Sequence, residues 1–370
     1  MIDAFDYRPG HAEIRFEIEE AIARVLNSGR LILGAEVEAF EQEFADFIGA
    51  RIAVGVGSGT DAIKIALRAL GVGPGDEVIT VAHTAVATVG AICETGAVPR
   101  LVDIEDDTLL MAADQLEGAI GPRTRAIVPV HLYGRPAPLG PILAVAERHG
   151  LAVVEDCAQA HGARIDRRHV GTFGAVGCFS CYPTKNLGAY GDGGLCATND
   201  PALADRIRRI RFHGFDAARV AQVEGVCSRL DEIQAAILRV KLRRLNRDLA
   251  ARRAIAGYYA AGLAGTCVRR PDTDPCTEHA WHLYVVRTPR RRALAEALAG
   301  AGIGYGIHYP VPVHLMPAYA RLGYGSGALP VTERAANEVL SLPMYPQLTE
   351  RDVEAVCEVV RRRFSGAAGP

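Results

Sequence analysis

The stretch RIAVGVGSGTDAIKIALRALG, Arg51 to Gly71, joins an apolar β-rich run to a helical pattern through a glycine-rich turn. Apolar β-rich runs and helical patterns continue to alternate from there to about Asn199. The β-rich runs include EVITV, AVPRLVDI, RAIVPVHLYG and LAVVEDC. This alternation predicts an α/β fold in which a mainly parallel sheet is covered by helices on both faces. Glycines at positions 71, 96 and 150 are expected to close three of the helices.

The sequence changes character after Pro201. The stretch from Ser228 to about Gly262 is helical and contains no proline, which predicts one long connecting helix. Further on, the strand HAWHLYVVRT and the helix RRRALAEALAGAG predict a smaller C-terminal α/β domain. The helices before Arg51, including GAEVEAFEQEFADFIG, are expected to pack against it. We therefore expect a large domain at residues 1–250 and a small domain at residues 251–370.

The bulk composition points to small-molecule partners or another subunit. The 370 residues include 41 basic and 43 acidic side chains, so no charge bias favours nucleic acid or an anionic membrane. The uncharged run Val78 to Cys93 is shorter than the roughly 20 residues that span a bilayer. The first residues lack a signal-peptide pattern, and nine scattered cysteines are typical of reduced thiols, so a cytoplasmic protein is expected.

The glycine-rich turn, Gly57–Thr60, lies between a strand and a helix, where free backbone N–H groups favour an anion such as phosphate. The alternative is a plain turn with Ser58 or Thr60 as a helix cap. A dinucleotide fingerprint fits poorly, because Asp76 and Glu77 precede the next strand instead of ending it.

The run LAVVEDCAQAHGA places Asp156 and Gln159 at the carboxyl end of a buried strand, where open α/β sheets bind ligands. A carboxylate there is suited to pair with a cationic ring nitrogen and keep it protonated. The alternative is that Asp156 only caps the following turn.

The stretch CFSCYPTKNLGAYGDGG, residues 178–194, carries a single lysine, Lys185, in a turn-rich loop. Its C-x-x-C pair, Cys178 and Cys181, would point to opposite faces of a strand and would not share a metal ion. Ser180 would share a face with Cys178, where its hydroxyl can bind a phosphate. His308 and His314 lack a third ligand pattern, so a substrate-facing or structural role is favoured and no metal is expected.

Taken in order, the glycine-rich turn, the strand-end aspartate, the serine and the lysine suggest a fold-type I pyridoxal-phosphate (PLP) enzyme. The chain resembles the DegT/DnrJ/EryC1/StrS family of sugar aminotransferases from about Leu26 to Arg362. The motifs that carry this resemblance are GSGTDAIKIAL, VEDCAQAHGA, FSCYPTKNLGAYGDGG, SRLDEIQAAILRVKL, GIHYPVPVHLMPAY and LSLPMYP.

The resemblance implies a role for each of these residues. Lys185 would bind the cofactor covalently and move the proton during catalysis, with pyridoxamine phosphate as the intermediate cofactor form. Asp156 would bind the pyridine nitrogen, and Gln159 would approach the 3-hydroxyl of the ring. The cofactor phosphate would be held by Gly59, Thr60 and Ser180.

The resemblance also implies a homodimer with shared active sites, in which the segment near Arg229 reaches the neighbouring site. Here the sequence departs from the family twice. Cys227 stands where an asparagine usually touches the partner's cofactor phosphate, and a thiol is a weaker donor than an amide. Ala85 stands where an aromatic ring often stacks on the cofactor, and His83 is the expected replacement.

The expected substrates are L-glutamate as amino donor and a nucleotide-linked keto sugar as acceptor. The motifs are closer to enzymes that act on dTDP-3-keto-6-deoxyhexoses, with 4-keto sugars and keto-cyclitols as alternatives. A dehydratase of this fold would carry histidine in place of Lys185, and a non-catalytic PLP-binding regulator would be expected to lose Lys185 or Asp156. Substrate contacts are expected from Arg229, Tyr309 and His314.

Overall fold

The computed structural model describes residues 1–365. Its strands are β1 Ile52–Val56, β2 Glu77–Val81, β3 Val98–Val102, β4 Thr124–Ile127, β5 Ala152–Asp156, β6 Arg164–Ile165, β7 Arg168–His169, β8 Val176–Ser180, β9 Gly194–Thr198, β10 Thr277–Glu278, β11 Tyr284–Arg287 and β12 Val339–Leu342. Its α-helices are α1 Arg8–Ser28, α2 Ala35–Ile48, α3 Gly59–Ala69, α4 Val86–Glu94, α5 Leu116–Ala119, α6 Leu139–Arg148, α7 Pro201–Arg211, α8 Glu232–Leu242, α9 Leu245–Gly262, α10 Arg291–Gly300, α11 Pro330–Glu338 and α12 Glu350–Phe364.

The central sheet has seven strands in the order β1-β9-β8-β5-β4-β2-β3. All neighbouring pairs are parallel except those of β9, which runs antiparallel to both β1 and β8. Because β1 and β8 both oppose β9, they run in the same direction as β5. The carboxyl ends of β1, β5 and β8 therefore lie at one edge of the sheet, and the predicted α/β fold class is confirmed.

Apolar layers cover both faces of this sheet. Along β8, Cys178 packs in the layer that contains α3 and α7, whereas Phe179 packs in the layer that contains α2 and α8. Phe179 meets Phe44 of α2 edge to face, with ring centroids 5.0 Å apart. Cys181 lies in the same layer as Phe179, so the two thiols of the C-x-x-C face opposite ways, as predicted.

The predicted single connecting helix is wrong, because the chain turns at Arg243 and Arg244 between α8 and α9. Helix α8 packs against α1 and α2, whereas α9 packs against α12. The turn lets one continuous helical sequence serve two different cores. The predicted boundary between residues 250 and 251 lies inside α9, and its position stays a prediction.

The C-terminal core contains α9, β11, α10, β12 and α12. The first residues of the chain reach it, since Ile2 and Phe5 pack there. The apolar faces of α1 and α2 do not, because they pack against α8, and α2 also packs against β1; α1 meets α9 through the pair of Glu13 and Arg247 at 2.6 Å. The expectation that α2 packs against the C-terminal domain is therefore wrong.

Three glycines end helices as predicted. Gly71, Gly96 and Gly150 follow α3, α4 and α6, and each has a positive φ that favours glycine. Among the described residues, the structure has no helix with both the length and the apolar character needed to span a membrane.

Candidate active site

Three of the predicted residues meet at the edge where β1, β5 and β8 end. Asp156 is the last residue of β5 and Ser180 is the last residue of β8, its parallel neighbour. Gly59 is the first residue of α3, which follows β1 after a short turn. This edge is the position at which open α/β sheets bind ligands.

The start of α3 is pressed against the end of β8. A Cβ atom at Gly59 would lie 2.5 Å from the Cβ of Ser180, so only glycine fits this approach. The Ser58 side chain accepts from the Asp61 N–H at 3.1 Å, so the predicted cap is present. The cap leaves the first N–H groups of the helix, at Gly59 and Thr60, without partners inside the helix. An anion is favoured at such a helix start beside the Ser180 hydroxyl.

The Asp156 carboxylate is buried and held on both oxygens. Its Oδ2 atom accepts from the Thr88 hydroxyl at 2.7 Å, and its Oδ1 atom accepts from the Ala158 N–H at 3.1 Å. Thr84 and Thr88 share a further hydroxyl hydrogen bond of 2.8 Å. Burial raises the pKa of Asp156, while these bonds oppose the rise. A cationic partner beside this carboxylate would be strongly stabilised.

Lys185 lies in the compact loop between β8 and β9. Its backbone N–H donates to the Tyr182 carbonyl at 2.8 Å, and a Cβ at Gly188 would lie 2.4 Å from the Pro183 oxygen. Burial lowers the pKa of Lys185 to about 8, although the Asp156 charge acts in the opposite direction. More of this amine is therefore uncharged near neutral pH than at the ordinary pKa of 10.5, and the uncharged amine can act as a nucleophile.

Gln159 is fixed between two tyrosines. Its Oε1 atom accepts from the Tyr133 N–H at 2.6 Å, and its Nε2 atom donates to the Tyr309 hydroxyl at 3.1 Å. The Tyr133 hydroxyl donates to the His308 carbonyl and lies 2.8 Å from His83 Nε2. Gln159 and Tyr309 therefore belong to one hydrogen-bonded group.

His83 is 1% exposed, and burial lowers its pKa to about 4. Its ring meets the Tyr133 ring edge to face, and its Nδ1 atom is buried without a hydrogen-bond partner in residues 1–365. Ala85, where the family's aromatic ring was expected, begins α4 as its N-terminal cap residue. His83 is thus a neutral ring held by Tyr133.

The remaining predicted residues lie apart from this group. Cys227 is exposed, and Arg229 stacks over Phe212 with its guanidinium 5.5 Å from the ring centroid. Between them, Ser228 accepts from the Gly57 N–H at 2.9 Å. His314 has no exposed side-chain surface and pairs with Glu333 at 3.1 Å, which favours the structural role over the substrate contact.

Sequence reasoning missed Thr88 and Tyr133. Thr88 is a lone polar side chain on the buried face of α4 in the run AHTAVATVG. Tyr133 follows β4, the parallel neighbour of β5, so the strand-end argument that found Asp156 also applies to it.

In the described part of the chain, one buried group, His131, Glu155 and Cys157, has the spacing of metal ligands. Its carboxylate is already occupied: Glu155 pairs with His131 Nε2 at 3.1 Å and accepts backbone N–H groups at 2.6–2.8 Å from Gly171, Phe173 and Gly174. The His131 Nδ1 atom accepts from the Ala137 N–H at 2.8 Å. The group therefore anchors loops behind the Asp156 strand.

Comparison with known proteins decides the family, because the DegT/DnrJ/EryC1/StrS aminotransferase family matches residues 12–361. The chain belongs to that family. A dTDP-3-amino-3,4,6-trideoxy-alpha-D-glucose transaminase of Micromonospora megalomicea subsp. nigra is 49% identical over 358 residues, which are 95% of this chain and 96% of that protein. The predicted family resemblance is confirmed.

Solved structures of the family agree with this fold. S. venezuelae DesV in complex with a ketimine intermediate has a TM-score of 0.96 and 47% identity, and the match covers 98% of each chain. The putative sugar aminotransferase Spr1654 of Streptococcus pneumoniae, solved in PMP and PLP forms, has a TM-score of 0.89 and 26% identity, and covers 94% of this chain and 96% and 95% of those chains.

Members of this family are PLP-dependent aminotransferases, and the residues at the strand ends fit that cofactor. The buried Asp156 carboxylate suits a cationic ring nitrogen, and the closely packed start of α3 suits a phosphate. The lowered pKa of Lys185 suits a covalent bond to an aldehyde. The predicted enzyme class and cofactor are confirmed.

Proposed function

We propose that this enzyme transfers the amino group of L-glutamate to carbon 3 of a dTDP-3-keto-6-deoxyhexose and so forms a 3-amino-3,6-dideoxyhexose. The observation that carries the proposal is the 49% identity, over 95% of the chain, to a transaminase named for a dTDP-3-amino sugar. The intact Lys185 and Asp156 support catalysis instead of binding alone.

Each residue at the strand ends has a role in this proposal. When bound, PLP withdraws electrons from the substrate carbon attached to it and makes that carbon's C–H bond acidic. Asp156 holds the ring nitrogen in its charged form, and Gln159 contacts the ring hydroxyl. Gly59, Thr60 and Ser180 bind the phosphate, and His83 covers a ring face.

Lys185 moves the proton. Because its pKa is lowered to about 8, the free amine would take the proton from the donor's α-carbon and would release it again as the amino group is transferred. The same amine reverses these transfers once the keto sugar has bound. Tyr309, which is hydrogen-bonded to Gln159, is placed to contact the sugar.

We also propose a homodimer whose sites are shared. Cys227 is exposed and Arg229 is half-buried, and the nearby Val220 and Val223 are 54% and 48% exposed. Apolar side chains of this kind are covered when subunits pair. We propose a cytoplasmic location as well, and the nine free thiols among the described residues support it, because thiols stay reduced in that compartment.

The donor half of the reaction is tested by absorbance. Enzyme loaded with PLP should absorb at about 410–430 nm and shift to about 330 nm when glutamate is added. Lys185→Ala should bind PLP and show no turnover. A Lys185→Ala variant with normal turnover, or a wild-type protein that takes up no PLP, would contradict the proposal.

The acceptor is tested separately, because the donor half of the reaction is the same for every acceptor. Enzyme that carries pyridoxamine phosphate is mixed separately with dTDP-linked and UDP-linked 3-keto sugars, a dTDP-4-keto sugar and a keto-cyclitol. NMR of the product then locates the new amine. A new amine on carbon 3 of the dTDP sugar supports the proposal, and preference for a 4-keto sugar or a cyclitol overturns it.

A further inference from the structure

Tyr133 joins four parts of the molecule around the candidate site. Its N–H donates to Gln159 Oε1 at 2.6 Å, and its carbonyl accepts from the Leu283 N–H at 3.2 Å. Its hydroxyl contacts both His83 Nε2 and the His308 carbonyl. Every polar atom of Tyr133 is therefore engaged, and two of its partners, Gln159 and His83, are the proposed ring contacts.

The backbone beside Tyr133 is shaped for this position. Tyr133 has a φ of 62°, in the left-handed region that non-glycine residues seldom adopt. Gly134 has a φ of 94°. A Cβ there would lie 3.0 Å from the backbone carbonyl oxygen of Gln159 and 3.1 Å from the backbone nitrogen of His282. The turn is thus pressed between the loop after β5 and the segment before β11.

The protons in this group can be assigned from the atoms present. The His308 carbonyl only accepts, so the single O–H of Tyr133 donates to it. The tyrosine oxygen then accepts from His83, so the His83 proton lies on Nε2 and the Nδ1 atom carries a lone pair. The lowered pKa of His83 and the raised pKa of Tyr133, both caused by burial, agree with two neutral groups.

We propose that Tyr133 is a positioning residue that fixes the tautomer and ring orientation of His83 and ties both His83 and Gln159 to the C-terminal segment at His308. The inference rests on the proposed roles of His83 and Gln159 at the cofactor ring.

The direct test is the tautomer of His83, observed by NMR with ¹⁵N-labelled histidine and assigned by loss of its signals in His83→Asn. Wild-type protein without cofactor should show a neutral ring protonated on Nε2. A ring protonated on Nδ1, or a charged ring at pH 7, overturns the inference. This result does not depend on whether the protein is an aminotransferase.

The variant test is Tyr133→Phe, which removes one hydroxyl and keeps the ring. Its His83 signals should change to a mixture of tautomers, and its dissociation constant for PLP should rise about tenfold, as expected for a lost buried hydrogen bond. The matched control is Tyr259→Phe, because the buried Tyr259 hydroxyl donates to the Pro343 carbonyl at 2.9 Å in the C-terminal core.

The control should leave both readouts unchanged. An unchanged His83 tautomer in Tyr133→Phe, or an equal loss of PLP affinity in Tyr259→Phe, overturns the inference. If wild-type protein takes up no PLP, the proposed function fails, and the tautomer experiments still decide the role of Tyr133.

Discussion

At the scale of single residues, a chain of two threonine hydroxyls ends on the Asp156 carboxylate. Thr84 bonds to Thr88, and Thr88 donates to Asp156 Oδ2, with all three side chains buried. The bond from Thr88 favours the charged carboxylate, whereas burial favours the neutral acid. Thr88 therefore helps to keep Asp156 ionised where a ring nitrogen needs a negative partner.

We predict that Thr88→Val, which keeps the shape and removes the hydroxyl, weakens PLP binding about tenfold, because the carboxylate loses one donor. Equilibrium titration of the unloaded enzyme with PLP measures the effect. Thr80→Val is the matched control, because the buried Thr80 hydroxyl donates at 2.9 Å to the carbonyl of Val128, the residue after the neighbouring strand β4. Thr88→Ser should restore affinity, and an equal loss in Thr80→Val would refute the role.

Chemical type and chain position were enough to single out Asp156 and Lys185 as candidates, and their catalytic roles stay predictions. One carboxylate ends a buried strand and one lysine lies in a glycine-rich loop, so each stands out locally. Thr88 and Tyr133 escaped prediction because their partners, Asp156 and His308, are 68 and 175 residues away. His314 could not be judged from the sequence, since only folding shows that it is buried against Glu333.

At the scale of elements, the start of α3 and the end of β8 touch through Gly59 and Ser180. A methyl group at Gly59 would lie 2.5 Å from the Ser180 Cβ, and neither backbone is free to move because each is part of a regular element. The contact sets the distance between the helix N–H groups and the serine hydroxyl. Phosphate affinity should depend on that distance.

We predict that Gly59→Ala lowers the free energy of unfolding by about 1–3 kcal/mol through overpacking and weakens PLP binding. Thermal unfolding and PLP titration measure the two effects. Gly257→Ala in α9 is the control: no atom lies within 4 Å of its added methyl, so it should be neutral or stabilise the protein by about 0.5–1 kcal/mol. A Gly59→Ala protein with wild-type stability and affinity would show that α3 and β8 are not closely fitted.

The order of elements was largely predictable, and their partners were not. Alternating runs predicted the parallel sheet, because a buried parallel strand needs a helix to return the chain. The turn at Arg243 and Arg244 carries no proline or glycine signal and exists because α8 and α9 pack on different neighbours. The packing of α2 on α8 was missed because it too depends on which elements become neighbours in the fold.

At the scale of the whole molecule, the proposed dimer divides each site between two chains. Lys185 lies in the group of residues at the strand ends, whereas the half-buried Arg229 follows the exposed Cys227 and has its guanidinium over Phe212. If Arg229 serves the partner's site, an intact site needs Lys185 from one chain and Arg229 from the other. A mixing experiment with variants of these two residues therefore distinguishes a shared site from a site that one chain builds alone.

We predict that Lys185→Ala and Arg229→Ala, each inactive or nearly so alone, regain activity when mixed 1:1 under conditions that exchange subunits. Half of the dimers are then hybrids, and each hybrid has one site with both residues intact, so activity should reach about a quarter of wild type. Native mass spectrometry counts the hybrids. A mixture of Lys185→Ala with Asp156→Asn is the control, because each site takes both of these residues from the same chain. Since every hybrid site in that mixture carries a defect, the control should stay inactive. Hybrids that form without activity would show that Lys185 and Arg229 serve the same chain's site.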